Sequence, residues 1–180
     1  MVGRLYAVVG PSGVGKDTLI EATMERRRDL VRAKRVITRP TEAGGEDFEG
    51  VSVEEFDRRL EAGDFALHWQ AHGLKYGVPI SIETALNEGH DVLFNGSRGI
   101  LAEAYALYPN MGVLLITASP EVLAKRLAAR GRESREEIEK RLARAGYDIA
   151  PGLPVRRVEN DGSLEEAVVQ FLAALQPERV

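Results

Sequence analysis

Short runs in which every position is apolar alternate along this chain with stretches of helical period. Arg4 to Val9 (RLYAVV) is an apolar run that ends in Gly10, and Lys16 to Arg28 then reads as a helix. The order is strand, glycine turn, helix. Apolar runs recur at Asp91 to Asn95 (DVLFN) and Gly112 to Thr117 (GVLLIT), with a weaker one at Pro154 to Val158, each beside a helical pattern. Runs without alternation are buried on both faces, which predicts a parallel sheet covered by helices on both sides. The expected fold class is α/β, with a five-stranded parallel sheet sandwiched by helices.

Two segments interrupt the alternation, and specialised work is expected there. The first holds the turn-rich run Thr41 to Asp47, a helix at Val53 to Ala62 and a strand-like run at Phe65 to Gln70, and reads as an inserted arm. The second is dense in Arg and Glu, with Gly131 between two helical stretches, and reads as a hinged lid. A last helix, Ser163 to Leu175, begins after the AsnAspGlySer turn and ends before Pro177. No internal repeat or linker separates these parts. A length of 180 residues suits one domain. Its core is expected at 1–36, 81–125 and 147–180, its arm at 37–80 and its lid at 126–146.

Composition narrows the function classes. Hydrophobic residues at 44% can bury a core and exclude a chain disordered along its length. The 24 Lys plus Arg against 28 Asp plus Glu give a net charge of -4, so no global basic field draws nucleic acid, and any anion site must be local. Cys is absent, which removes thiolate chemistry and fits a reducing compartment. The apolar runs are too short to span a bilayer, and Met1 to Gly10 lacks the form of a secretion signal. The expected setting is cytoplasmic, with no membrane and no nucleic-acid partner.

Gly10 to Lys16 reads GPSGVGK, the phosphate-binding loop spacing of two glycines five apart followed by Lys. It follows an apolar strand and opens a helix, as the mechanism requires. Backbone N–H groups of Gly10, Pro11, Ser12, Gly13, Val14 and Gly15, as far as each has one, wrap phosphate oxygens at the helix N-terminus, while Lys16 reaches the β and γ phosphates. A nucleoside triphosphate, ATP, is the expected cofactor. The usual Ser or Thr after the Lys is here Asp17, with Thr18 next. A carboxylate beside a triphosphate is repelled unless a cation lies between them, so Asp17 is the candidate ligand for Mg²⁺. The other role open to it is to favour the first helical turn through the helix dipole.

Phosphoryl transfer needs cations where charge spreads in the transition state, and always-charged, forked arginines suit it. Arg126 and Arg130 stand four apart on one helix face, and Arg141 with Arg144 forms a second pair beyond Gly131. A solvated face laced with Glu133, Glu136, Glu137 and Glu139 is the competing reading.

These features together resemble the guanylate kinase family of P-loop kinases across nearly the whole chain. IleThrArgPro at 37 to 40 resembles its acceptor-phosphate motif, GluGlyValSerValGluGluPhe at 49 to 56 the segment after it, and TyrGly at 76 to 77 its second acceptor motif. LysArgLeuAlaAlaArgGly at 125 to 131 and LysArgLeu at 140 to 142 resemble its lid, and AsnAsp at 160 to 161 its adenine-side turn. The resemblance implies Arg39 and Tyr76 on an acceptor phosphate, Arg130 and Arg141 on the transferring group, and Asn160 near adenine.

The departures fall in the acceptor pocket. Guanine presents N–H donors, so a guanine site needs carboxylate or hydroxyl acceptors. Instead Phe48 stands for a phosphate-binding Tyr, Leu67 and His68 for a carboxylate, Val78 for a hydroxyl residue, and NGSR at 95 to 98 for an acidic strand end. Arg98 puts a cation where an anion is usual, which suits a second acceptor phosphate better than a base. The set GPSGVGKD, ITRP, YGV and NGSR resembles the ribose 1,5-bisphosphate phosphokinase branch of that family. The resemblance implies transfer of the ATP γ-phosphoryl group to the 1-phosphate of ribose 1,5-bisphosphate, giving 5-phosphoribosyl 1-diphosphate in phosphonate breakdown. Either His68 or His72, near the arm, can hydrogen-bond sugar or phosphate, and His72 is carried as the candidate. Two rival readings stay open: a nucleoside monophosphate kinase, and a noncatalytic interaction module on the same fold.

Overall fold

The computed structural model describes residues 2–11, 14–40, 47–129, 136–137, 149 and 152–175. Ser12, Gly13, positions 41–46, Arg130, Arg141, Arg144 and most of the expected lid lie outside the described residues. Packing divides the chain into two compact units, Met1–Ala7 with Arg27–Gly112 and Val8–Arg26 with Val113–Val180.

Five strands form one sheet: β1 (Leu5–Val9), β2 (Val31–Arg32), β7 (Val92–Asn95), β8 (Gly112–Thr117) and β9 (Val155–Glu159), in the order β2-β7-β1-β8-β9. β2 runs parallel to β7 and β8 parallel to β9. The non-alternating runs are buried throughout β1, β7 and β8, as strands covered on both faces must be. The architecture is therefore the expected α/β sheet. β2, at the sheet edge, has only two residues, too few to show a period. It is held to β7 by hydrogen bonds from Val31 N to Asp91 O (3.0 Å) and from Ala33 N to Leu93 O (2.8 Å).

The unit built on 27–112 carries a second sheet. β3 (Val36–Ile37), β4 (Glu49–Gly50), β5 (Phe65–Ala71) and β6 (Leu74–Pro79) lie in the order β4-β3-β6-β5. β5 and β6 form an antiparallel hairpin with Trp69 opposite Tyr76 and Leu67 opposite Val78. At Gly77 a Cβ would meet the Phe65 ring at 2.7 Å, so the glycine lets that ring lie across the strand. Phe65 in turn stacks on Phe56 (4.7 Å between centroids), the buried anchor of α2 (Val53–Glu61). Helix α2 starts at Ser52, whose Oγ accepts from Glu55 N, and its Arg59 is ion-paired to Glu49 on β4 (2.6 Å). Two further helices, α3 (Ile82–Asn87) and α4 (Leu101–Leu107), complete this unit, α4 preceded by a 3-10 turn at Arg98–Ile100.

The other unit contains α1 (Lys16–Arg26), α5 (Pro120–Ala129) and α6 (Leu164–Ala174). α6 buries Ala167, Val168, Phe171 and Ala174, one face at helical spacing, and packs beside α1 and β9. Its Ser163 caps it by accepting from Glu166 N (3.2 Å). α1 ends at Arg26, two residues before the apolar pattern suggested, because Arg27 folds back onto Asp29 (2.6 Å) and Leu30 N bonds Arg27 O (3.2 Å). Among the described residues no helix is long and apolar enough to cross a membrane.

Candidate active site

The phosphate loop is built from glycine geometry and three distant residues. It runs from the end of β1 at Val9 to Lys16 at the start of α1. A Cβ on Gly10 would stand 2.6 Å from Ile116 O, and one on Gly15, whose φ is +90°, would stand 2.8 Å from Asn160 Nδ2. Neither position admits a side chain without displacing its neighbour. The Lys16 ammonium donates to Gly10 O (2.7 Å), so it lies folded over the loop that is to hold anions. Asp17 is half-buried in the first turn of α1, and Thr18 beside it is exposed.

The loop is braced at the buried Val14. Its carbonyl accepts from Asn160 Nδ2 (2.7 Å) and from the Arg126 guanidinium (3.1 Å). Arg126 donates a second bond to Asn160 O (2.8 Å), and Asn160 N donates to Thr117 O (2.7 Å). Asp161 accepts a hydrogen bond from Ser119 N. The fork of one arginine thus closes a ring through β8's end, the loop and the AsnAsp turn. Arg126, expected among the cations of transfer, and Asn160, expected beside adenine, are brought together here, both on the loop backbone.

The residues expected on the acceptor side lie in the other unit. Thr38, after β3, exchanges bonds with Lys75 of β6, its N donating to Lys75 O (3.1 Å) and its Oγ1 accepting from Lys75 N (2.9 Å). Arg39 follows directly, with its guanidinium 4.2 Å from the centroid of the buried Phe48 ring and its Nε buried. Phe48, read from sequence as a lost phosphate ligand, is thus the surface on which Arg39 rests. Tyr76 stacks on Trp69 (5.5 Å, 7° between planes), and Trp69 touches Phe94 (6.3 Å). Leu67 and Val78 are both buried and apolar. His68 is exposed on β5, and His72 sits exposed at the hairpin tip with φ 53°. Arg98 is exposed at the start of the 3-10 turn, which packs beside β5.

Two cations escaped the sequence reading. Arg32 donates to Asn95 Oδ1 (3.3 Å), and Arg35 donates to Asn95 O (3.1 Å) while its guanidinium lies 5.0 Å from the Tyr76 centroid. Nothing in the run ArgAlaLysArg matches a motif; the signal lies only in its place after an edge strand too short to be noticed.

The family model described as guanylate kinase matches residues 2–176. The chain belongs to the guanylate kinase family. Relatives within it include the ribose 1,5-bisphosphate phosphokinase PhnN of Ruegeria sp. (strain TM1040), 49% identical over 98% of this chain and 94% of that protein. The protein of the same name from Pseudomonas paraeruginosa is 48% identical over 99% of this chain and 98% of its own. Among solved structures, guanylate kinase from Anaplasma phagocytophilum shares the fold, with a TM-score of 0.67 and 23% identity over 97% of this chain and 85% of that one. As a member of the guanylate kinase family the chain is a P-loop kinase.

Proposed function

We propose that this chain transfers the γ-phosphoryl group of ATP to the 1-phosphate of ribose 1,5-bisphosphate, giving 5-phospho-α-D-ribosyl 1-diphosphate and ADP. The observation that carries the reading is the acceptor side. Positions that would read a purine edge hold the buried, apolar Leu67 and Val78, while Arg35 and Arg39 lie against Tyr76 and Phe48. Such a set suits anionic groups, which forked arginines grip. The curated relatives of that name, at 48–49% identity over nearly the whole chain, support it.

The attacking oxygen belongs to the acceptor's 1-phosphate and is already anionic, so no strong base is needed. It bonds to the γ-phosphorus as the bond from that phosphorus to the β,γ-bridging oxygen breaks, and ADP leaves with the electron pair. Catalysis then rests on position and charge. Lys16 neutralises the β- and γ-phosphates, with the loop amides closing round them. Arg39 and Tyr76 hold the 1-phosphate. Arg130 and Arg141, with Arg126 bracing the loop, supply charge around the transferring group.

Mg²⁺ takes one or two carboxylates and completes its shell with phosphate oxygens and waters, so the single carboxylate of Asp17 beside Lys16 fits it. When bound, the ion draws charge from the bridging oxygen of the leaving group.

The test is ADP release by the purified protein with ATP and Mg²⁺, comparing ribose 1,5-bisphosphate with GMP and other nucleoside monophosphates. Turnover confined to the sugar bisphosphate, with 5-phosphoribosyl 1-diphosphate as product, is expected. Faster turnover of GMP overturns the acceptor assignment and leaves a nucleotide kinase; no turnover and no ATP binding leaves an interaction module.

A further inference from the structure

The hairpin of β5 and β6 presents two different faces. Opposed residues lie on one side of the pair, so Leu67 with Val78 and Trp69 with Tyr76 share a face. A bulge between Phe65 and Leu67 turns Phe65 to the other face, where its ring lies over Gly77 and stacks on Phe56 of α2. On the first face Trp69, the sole tryptophan of the chain, lies nearly parallel to Tyr76, with 5.5 Å between centroids and 7° between planes. That is the offset stack that aromatic pairs prefer. Trp69 also touches Phe94 at 6.3 Å, and Phe94 is fully buried in β7. The Tyr76 ring is thus tied through Trp69 to a buried core strand. Both rings of the stack are half-buried. Among the described residues the Tyr76 hydroxyl has no hydrogen-bond partner, and it is not a buried orphan, so it is open to an oxygen of solvent or substrate.

We propose that Trp69 is a positioning residue for the acceptor: its ring fixes the plane of the Tyr76 ring, and with it the direction in which the phenol hydroxyl donates to the acceptor phosphate. This rests on the reading of Tyr76 as an acceptor-phosphate ligand above. A tyrosine on a half-exposed strand with no ring beside it gives up rotamer freedom when a phosphate binds; a stacked one has given it up in folding. An aliphatic side chain at position 69 would fill space without offering a flat face, whereas a smaller ring keeps one. The competing role for Trp69 is packing alone. The two roles differ in what they predict once the Tyr76 hydroxyl is removed.

The experiment measures steady-state kinetics of the full chain for wild type, Trp69→Leu, Trp69→Phe, Tyr76→Phe and the double variant Trp69→Leu with Tyr76→Phe. Immobilising a side chain on binding corresponds to about a two- to tenfold change in affinity. Trp69→Leu should raise the acceptor KM by that factor and leave the ATP KM unchanged, and Trp69→Phe should recover most of the loss. In the Tyr76→Phe background, which keeps the ring and lacks the hydroxyl, Trp69→Leu should cost nothing further. Emission of the single tryptophan needs no variant at position 69: titration with the acceptor should change it in wild type, with a higher midpoint in Tyr76→Phe. An equal cost of Trp69→Leu in both backgrounds, or equal rises in acceptor and ATP KM, marks packing alone and overturns the proposal. A Tyr76→Phe variant with wild-type kinetics leaves Trp69 nothing to direct and overturns it as well. So does an emission that the acceptor leaves unchanged, which decides the matter where Trp69→Leu folds poorly. All variants are assayed on the acceptor that wild type uses. Wild-type turnover of GMP in place of ribose 1,5-bisphosphate therefore overturns the reaction, and the same comparison then judges Trp69 with GMP; a wild type that turns over no acceptor overturns both.

Discussion

At Val14 a single carbonyl oxygen accepts from two side chains remote from it in sequence, Arg126 and Asn160. Because they share one acceptor and are bonded to each other, their effects should not add. Arg126→Ala and Asn160→Ala are each expected to raise the ATP KM, and a double-mutant cycle should return a coupling of about 0.5–3 kcal/mol. Strict additivity would mean that the brace does not set the loop. Asp17 gives a second test at this scale. If its carboxylate holds the metal, Asp17→Ala should lose Mg²⁺-dependent nucleotide binding and activity, while a wild-type Mg²⁺ titration of nucleotide binding would reduce Asp17 to a helix-dipole residue. The loop and Lys16 were legible in the sequence because their chemistry fixes a spacing. The meeting of positions 14, 126 and 160, and that of 32, 35 and 95, was not, because a side chain's partner across strand ends leaves no periodic trace. Phe48 shows the same limit: its type marks a departure from a phosphate ligand, and only the fold reveals the guanidinium resting on it.

Among the elements, α2 is anchored by the buried Phe56 and carries at Glu55 one carboxylate with several tasks. Its Ser52 cap and Glu55 stand three apart, the spacing of a capping box. Glu55 accepts from Arg58 (2.6 Å) and Arg59 (3.0 Å), and Arg59 reaches on to Glu49 of β4. Hydrogen bonds from Arg58 and then Arg59 hold the Glu55 carboxyl down from its ordinary 4.5 to about 2. A carboxyl lowered in the folded state binds its proton more readily when unfolded. The network's contribution is therefore complete above pH 4.5 and is lost as pH falls toward 2. Acid melts of wild type and Glu55→Gln should converge across that window, with the wild type the more stable above it. A constant difference down to pH 2 would assign the helix to packing alone. Added salt should shrink the gap, since the Arg58 pair is exposed and the Arg59 pairs are only partly buried. This element was legible as a helix at Val53 to Ala62 in the sequence; its cap and its ion pairs were not read there. β2, β3 and β4 were not, because strands of two residues are made by tertiary pairing and carry no alternation of their own.

For the whole molecule, the net charge of -4 means that two highly anionic substrates must be held against an overall unfavourable field. On the proposed reaction, binding energy then comes from local cations expected at Lys16 and the braced loop in one unit and at Arg39 in the other. Mass action turns each set into a stability signal. A ligand at a hundred times its Kd adds about 2.7 kcal/mol to the folded state. For a chain of this size that corresponds to a rise in Tm of about 5–10 °C. Wild type should show such a rise with ATP and Mg²⁺, and separately with ribose 1,5-bisphosphate, but not with GMP. Arg39→Ala should keep the ATP shift and lose most of the bisphosphate shift; Lys16→Ala should do the reverse. Loss of both shifts in either variant would mean that the two sets do not act as separate sites. Raising the ionic strength should lower both shifts, the acceptor's more steeply if it is gripped through two phosphates, because each exposed ion contact is screened.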